Sequence, residues 1–488
     1  MSIYNLFQNK ISKVFNSKIL YALNQIFIHL CIYKILGNKY YAIIGYILVI
    51  ESFSIIFEIF YASYFSKEFS DSKNSKSKLQ FLWSNLIVLS IILFVIFVIL
   101  CFFLNEFFWL SIFDQLNEFL LKNNYVYSLV ISFFSLMILA VRIFSSIFKG
   151  ILIGLNLQLY IAKISNFSVL FRISLVLIAL VLGLNIIYLI LFLFISSLYE
   201  CIFLYKKINS HIKFGKQHIN IIKFFNKTKQ FGFQISMLGL TNILLMNFDK
   251  IAVSYFLELS QTGDYLFLRN LCNVLYIVSI SKGDVIFPNL NKSFIYKKFN
   301  QVNLIINNYF VFIIKNLFPI ILYSFFLFSI FRDILSSIKI NIGIMDRDVL
   351  TIILLGSYFN ILNAPAVKLQ IITFYFKKAI LLNLFLIVIY FGAFFLFYNK
   401  INLFITVVLM LIYNFIFFLG NFLIVKNKYN KLLKINIIDI IKFHFPVILI
   451  SVILISLFII LYENGYYILT TILFFIILLI HYYRIASN

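Results

Sequence analysis

Residues 402–425 read NLFITVVLMLIYNFIFFLGNFLIV, a 24-residue run without a charged side chain. A helix rises 1.5 Å per residue, so roughly 20 apolar residues cross the ~30 Å hydrocarbon core of a bilayer. Backbone polar groups find no water there and must pair within the segment, which a helix does unaided. A membrane barrel would instead alternate apolar and polar residues in strands of about ten. This run is continuous, so it predicts a transmembrane helix.

Comparable runs fall outward from it at 18–36, 40–64, 80–104, 126–148, 161–183, 185–205, 231–256, 263–288, 305–331, 349–376, 378–398, 443–462 and 466–484. About fourteen spans are expected. Between the fifth and sixth, Gly183 and Asn185 are the turn signal. The 488 residues are 63 % hydrophobic and 12 % charged, against roughly 45–50 % and 25 % in soluble chains. No soluble core hides that much apolar surface. A cytoplasmic enzyme, a disordered chain and a secreted disulfide scaffold are excluded. Cys31, Cys101, Cys201 and Cys272 lie in or beside apolar stretches without C-x-x-C spacing, and read as small buried hydrophobes.

The net charge of +24 would suggest nucleic acid in a soluble protein. Here the lysines collect in alternate connecting segments. One set holds Lys67, Lys73, Lys76 and Lys78, then seven lysines from Lys206 to Lys229, then Lys292, Lys297 and Lys298. The other set carries Glu106, Asp114, Glu118, Glu258, Asp333, Asp346, Asp348 and Glu463, with Lys122, Lys339 and Lys400 as single exceptions. The positive-inside rule then places both termini in the cytoplasm and makes the charge a topology signal, with no nucleic-acid partner expected. The amino terminus lacks a clean cleavage site and reads as leading into a retained first span.

The basic connector 206–230 divides the chain. Residues 1–205 form an N-terminal six-helix lobe and 231–425 a C-terminal six-helix lobe, while 426–488 add a linker and two further helices. Leu36-Gly37-Asn38-Lys39-Tyr40-Tyr41 opens the second span, and Gln261-Thr262-Gly263-Asp264-Tyr265 opens the eighth. Each is the second span of its half, as a duplicated transporter requires. The expected fold class is an all-α polytopic membrane protein of about fourteen helices.

Four stretches in this order resemble the polysaccharide-transport branch of the multidrug/oligosaccharidyl-lipid/polysaccharide (MOP) flippase superfamily, and most of all its O-antigen flippases. They are Leu36-Gly37 through Tyr41-Ala42; Gly150-Ile151-Leu152-Ile153-Gly154-Leu155-Asn156; Asn247-Phe248-Asp249-Lys250 with Gly263-Asp264-Tyr265; and Ile286-Phe287-Pro288-Asn289-Leu290. The sequence departs from that family at Lys250, where Arg is frequent, and at Glu58, an approximate match to a common Asp. The resemblance implies a bacterial inner-membrane, non-enzymatic flippase for an undecaprenyl-diphosphate-linked oligosaccharide, with a polysaccharide polymerase as a partner.

Ionisable side chains at bilayer depth are costly and face a cavity or a partner. Glu51, Arg172 and Lys315 lie roughly 15 Å in, and Asp249, Lys250 and Arg269 about 9–10 Å below the outer surface. Arg142, Glu58, Glu200, Lys282, Asp284 and Lys368 occupy the inner third. Cations slightly outnumber anions, which suits a diphosphate that must shed its hydration. The candidate substrate-binding residues are therefore Arg172, Lys315, Arg269, Lys250, Arg142, Lys282 and Lys368. Glu51, Glu58 and Asp249 are candidates for coupling to an H+ or Na+ gradient. Other readings stand beside these. Asp249 with Arg269 also reads as a structural pair, Glu51 as a protonated helix–helix contact, and the inner-third groups as snorkelling to the interface.

Pro365 has no amide hydrogen for the carbonyl of Ile361 and predicts a kink or hinge in the tenth span. Asp346-Arg347-Asp348 precedes a predicted helix, where acids favour the dipole, and reads as a cap and not as a metal site. No P-loop, metal-spaced His/Cys cluster or Gly-x-Ser-x-Gly elbow is present, so no cofactor or metal is expected. A multidrug exporter on the same fold would favour an acidic cavity. A membrane sugar polymerase or glycosyltransferase would present a longer outer loop.

Overall fold

A computed structural model describes residues 3–52, 65–66, 68–69, 75–92, 95, 125–183, 186–213, 215, 219–326, 347–373, 376–396 and 402–429. The described residues are helices and their connections, without a strand. The helices are α1 (Ile3–Ser52), α2 (Tyr125–Gly154), α3 (Gln158–Val181), α4 (Ile186–His211), α5 (Ile221–Phe256) and α6 (Leu259–Ile295). They continue as α7 (Phe299–Phe326), α8 (Arg347–Leu362), α9 (Ala364–Thr373), α10 (Lys377–Leu396) and α11 (Leu403–Tyr429). Residues 76–92 are helical as well. Glu58, Cys101 and the two expected C-terminal spans fall outside the described residues.

Among the described residues six stretches are long and apolar enough to span a bilayer: Val130–Gly154, Gln158–Ala179, Ile186–His211, Asp348–Thr373, Lys377–Phe394 and Leu403–Val425. They coincide, within a few residues at most ends, with six of the runs read from the sequence. Their outward faces are apolar: Phe167 and Val388 are 59 % and 70 % exposed, a surface that suits lipid and not water. The chain is a multi-pass membrane protein.

The helix ends follow local chemistry. Gly37 has φ 76° and ψ 175°, a region open essentially to glycine alone, and it divides α1 in two. The His29 ring nitrogen Nδ1 lies 2.9 Å from the Tyr41 hydroxyl. Twelve residues of unbroken helix would hold them about 18 Å apart, so α1 doubles back at Gly37, where the sequence places a turn. α2 ends in a Schellman motif: Asn156 (φ 63°) takes the left-handed position, Leu157 N donates to the Leu152 carbonyl (2.8 Å), and Asn156 N donates to that of Ile153 (2.9 Å). Gly183 (φ 61°) marks the end of α3. The tenth expected span divides into α8 and α9 at Asn363, two residues before Pro365, and Asp348 lies in the first turn of α8.

The connector 206–230 is helical at both ends, because α4 runs to His211 and α5 starts at Ile221. Between them, Gly215 N donates to Ser84 Oγ (3.0 Å) and Asn220 N to Asn85 Oδ1 (2.7 Å). The Asn220 side chain then caps α5 by accepting from Lys223 N (2.9 Å). Those bonds hold the basic connector against helix 76–92, whose Trp83 packs between Phe148 and Tyr205.

α1 to α4 pack on one another, and α5 to α11 do likewise. The broadest contact joins α1 to α6, and it brings the two echoed turns together. A Cβ on Gly263 would collide with the Asn38 carbonyl, so only glycine permits this approach. Beside it the Tyr33 and Tyr41 rings pack on Phe267 at 4.4 and 5.5 Å between centroids. Asn270 Nδ2 donates to the Tyr41 hydroxyl at 3.3 Å. Most of the buried apolar side chains form one core across both helix groups, and a smaller aromatic core lies among α5, α10 and α11.

Candidate functional site

α2 carries Arg142 and Lys149 seven residues apart, two helical turns, hence on one face. α3 likewise places Ser165 and Arg172, and α4 contributes Ser196, Ser197 and Glu200. The tail of α1 adds Glu51. Packing of these four helices gathers three cations and two carboxylates in one buried network. Arg142 lies 2.6 Å from Glu51 and 2.6 Å from Glu200. Lys149 meets Glu200 at 3.0 Å, and Arg172 approaches Glu51 at 3.8 Å. Ser165 Oγ donates to Glu200 (2.8 Å), while Arg172 donates to Ser196 Oγ (3.1 Å) and Ser197 Oγ (3.4 Å).

Charges of this kind survive in a low-dielectric interior only when paired and hydrogen-bonded. Glu200, which is 2 % exposed, meets that condition fully. Among the described residues the network carries one surplus positive charge, and Arg172 has the loosest of its ion pairs. Such an arrangement attracts an anion able to replace lost hydration, phosphate above all.

A second network forms where α5, α6 and α8 meet. Arg269 Nε donates to Asp249 Oδ2 (3.1 Å) and Arg269 Nη1 to Ser357 Oγ (2.6 Å). The Tyr265 hydroxyl donates to the same Asp249 oxygen. Lys250 points its ammonium to Asn247 Oδ1 at 2.9 Å. Asp249 and Arg269 thus join neighbouring helices, which is the structural-pair reading of the sequence.

Two further candidates lie against aromatic rings. Lys282 lies 5.0 Å from the centroid of the Phe312 ring and Lys368 5.2 Å from that of Phe287, positions suited to cation–π attraction. Lys315 lies on α7, and its side chain is outside the described residues, as is all of Glu58. A small, partly open cavity of about 40 Å³ is lined by Asn242, Tyr276, Tyr309, Asn360, Asn363 and Lys368, among others. It presents amides and aromatic faces, and among the described residues no carboxylate lines it. Among the described residues no group of His, Cys, Asp or Glu has the arrangement of a metal site.

Sequence reading missed Lys149, Tyr33 and Ser357. The seven-residue spacing of Arg142 and Lys149 was a usable signal for the first. Nothing local marks the other two, whose partners lie 231 and 88 residues away.

Spanning helices around buried, charge-bearing networks define a polytopic membrane protein, and its fold recurs in solved structures. The lipid II flippase MurJ, in an inward closed conformation, matches 99 % of this chain and 100 % of its own at 17 % identity and a TM-score of 0.63. A MATE transporter of Vibrio cholerae, VcmN in the bent form, matches 87 % of this chain and 98 % of its own at 10 % identity and a TM-score of 0.63. An inward-facing multidrug resistance MATE transporter of the MOP superfamily matches 85 % and 95 % at 12 % identity, with a TM-score of 0.60. At such identities the likeness is one of fold. The family model described as "Polysaccharide biosynthesis protein" matches residues 17–294, more than half of the chain. The chain belongs to that family. No curated protein sequence matches it.

Proposed function

We propose that the protein is a flippase that carries an undecaprenyl-diphosphate-linked oligosaccharide, an O-antigen or capsule repeat unit, from the cytoplasmic to the periplasmic leaflet. The observation that carries this reading is the buried Arg142–Lys149–Arg172 network, whose cations outnumber its carboxylates. A lipid diphosphate brings its charge into a place where water is excluded, and guanidinium groups replace that water with bidentate hydrogen bonds. Arg269 and Lys250 extend the positive interior, Lys315 is assigned to it by its sequence depth alone, and the Lys368 cavity offers amides and aromatic faces to the sugars. The isoprenoid tail stays in lipid.

Two six-helix lobes rock about the α1–α6 seam to alternate access. With both termini in the cytoplasm of an inner membrane, the Gly37 and Gly263 turns lie on the periplasmic side, so their contact closes that side. Glu51, Glu58 or Asp249 couples the cycle to an H+ or Na+ gradient, and a polysaccharide polymerase receives the product. The length comparison supports the lipid-linked substrate: the flippase match covers 99 % of the 488 residues and the VcmN match 87 %, a difference of roughly 60 residues, comparable to 426–488.

A second reading, multidrug export, draws on the MATE likeness. Organic cations favour an acidic cavity, however, and the networks here are net positive. A strain deleted for this gene separates the readings. The flippase account expects lipid-linked repeat units to accumulate on the cytoplasmic face, with unchanged drug tolerance. Restored drug tolerance on re-expression, with normal polymer throughout, would favour the exporter.

A further inference from the structure

We infer that Glu51 is an internal counter-ion that the substrate's diphosphate displaces from Arg142 and Arg172, an inference that rests on the flippase reading above. The two carboxylates of the network differ in how they are held. Both oxygens of Glu200 are engaged, by Arg142 and Lys149 as well as by Ser165, and the residue is 2 % exposed. Among the described residues Glu51 uses one oxygen, Oε1, for Arg142 at 2.6 Å and Arg172 at 3.8 Å. Its Oε2 is buried without a hydrogen-bond partner among the described residues. Its side chain is 15 % exposed, the most of the five charged groups.

Glu200 is thus an anchor held through both oxygens, while Glu51 is held through one, close to Arg142 and loosely to Arg172. An incoming phosphate cannot reach these guanidinium groups with Glu51 in place, since two anions at such range repel strongly in a medium of low dielectric. Ser196 and Ser197 keep Arg172 oriented while its carboxylate partner leaves, and Glu200 keeps Arg142 in position. When Glu51 swings back it competes with the diphosphate and speeds its release. Glu51 is therefore a positioning residue that trades affinity for turnover. A purely structural carboxylate would affect stability without that trade.

The test uses the purified full-length protein in detergent, titrated with farnesyl diphosphate at constant ionic strength, and vesicles carrying a fluorescent lipid-linked sugar. Glu51→Gln is expected to bind the diphosphate about tenfold tighter than wild type and to flip the lipid-linked sugar more slowly. Glu51→Asp keeps the charge at shorter reach and is expected between the two, which preserves the test if the glutamine variant folds poorly. Equal or weaker binding in both variants would overturn the counter-ion role while leaving the flippase reading intact. Wild-type protein that binds no diphosphate would overturn that reading, and the role of Glu51 with it.

Discussion

The Tyr33 hydroxyl donates a hydrogen bond to the Asp264 carboxylate and so joins α1 to α6 inside the protein. Burial makes the bond matter, since a buried acceptor deprived of its donor costs about 1–3 kcal/mol. Tyr33→Phe is expected to lower stability by that amount, read from the thermal unfolding midpoint in detergent. Asp264→Asn, which removes the charge along with the need to solvate it, is expected to cost less.

Gly263 and Gly392 offer a matched contrast. A methyl at Gly263 meets the Asn38 carbonyl, whereas at Gly392 it meets nothing within 4 Å. Gly263→Ala should destabilise by about 1–3 kcal/mol as the α1–α6 seam is forced apart. Gly392→Ala, within α10, should be neutral or stabilising by about 0.5–1 kcal/mol through helix propensity. Thermal denaturation of both variants checks the pair, and equal effects would contradict the close approach.

Asp249 and Arg269 form a buried ion pair, so removal of either partner strands the other. Asp249→Asn and Arg269→Gln are each expected to cost about 3–5 kcal/mol. The double variant should cost clearly less than their sum, with a coupling of about 0.5–3 kcal/mol. A denaturation double-mutant cycle measures it, and additivity would count against the pair.

Pro365 supplies no donor for the Ile361 carbonyl, and the chain leaves helical geometry at Asn363. Pro365→Ala should let α8 and α9 merge, holding or raising thermal stability while slowing transport, if the break serves as a hinge. Unchanged transport in reconstituted vesicles would reduce it to a packing feature.

Much of this architecture was legible in advance because its causes are local. Runs of apolar residues announce spans, and Gly37, Gly183 and Pro365 interrupt helices through backbone chemistry that any reader of the sequence can apply. Helix ends were less legible: α5 starts at Ile221 because Asn220 caps it, ten residues before the apolar run begins. The charge networks were harder still. Arg142 was recognisable as a costly intramembrane cation, but its pairing with Glu51 and Glu200 depends on how α1, α2 and α4 pack. Asp249 and Arg269 could be matched because equal depth on adjacent helices is a one-dimensional inference. Glu51 with Arg172 needed the third dimension.

The claim at the centre is that fixed cations within the membrane receive a lipid diphosphate. It is tested most directly by reconstituting the protein in vesicles with a labelled undecaprenyl-diphosphate-linked oligosaccharide and measuring its appearance on the opposite leaflet. Wild type is expected to flip it, and an Arg172→Ala/Lys315→Ala double variant, folded by its unfolding midpoint, to lose most of that rate. Flipping at the wild-type rate in the double variant would contradict the account.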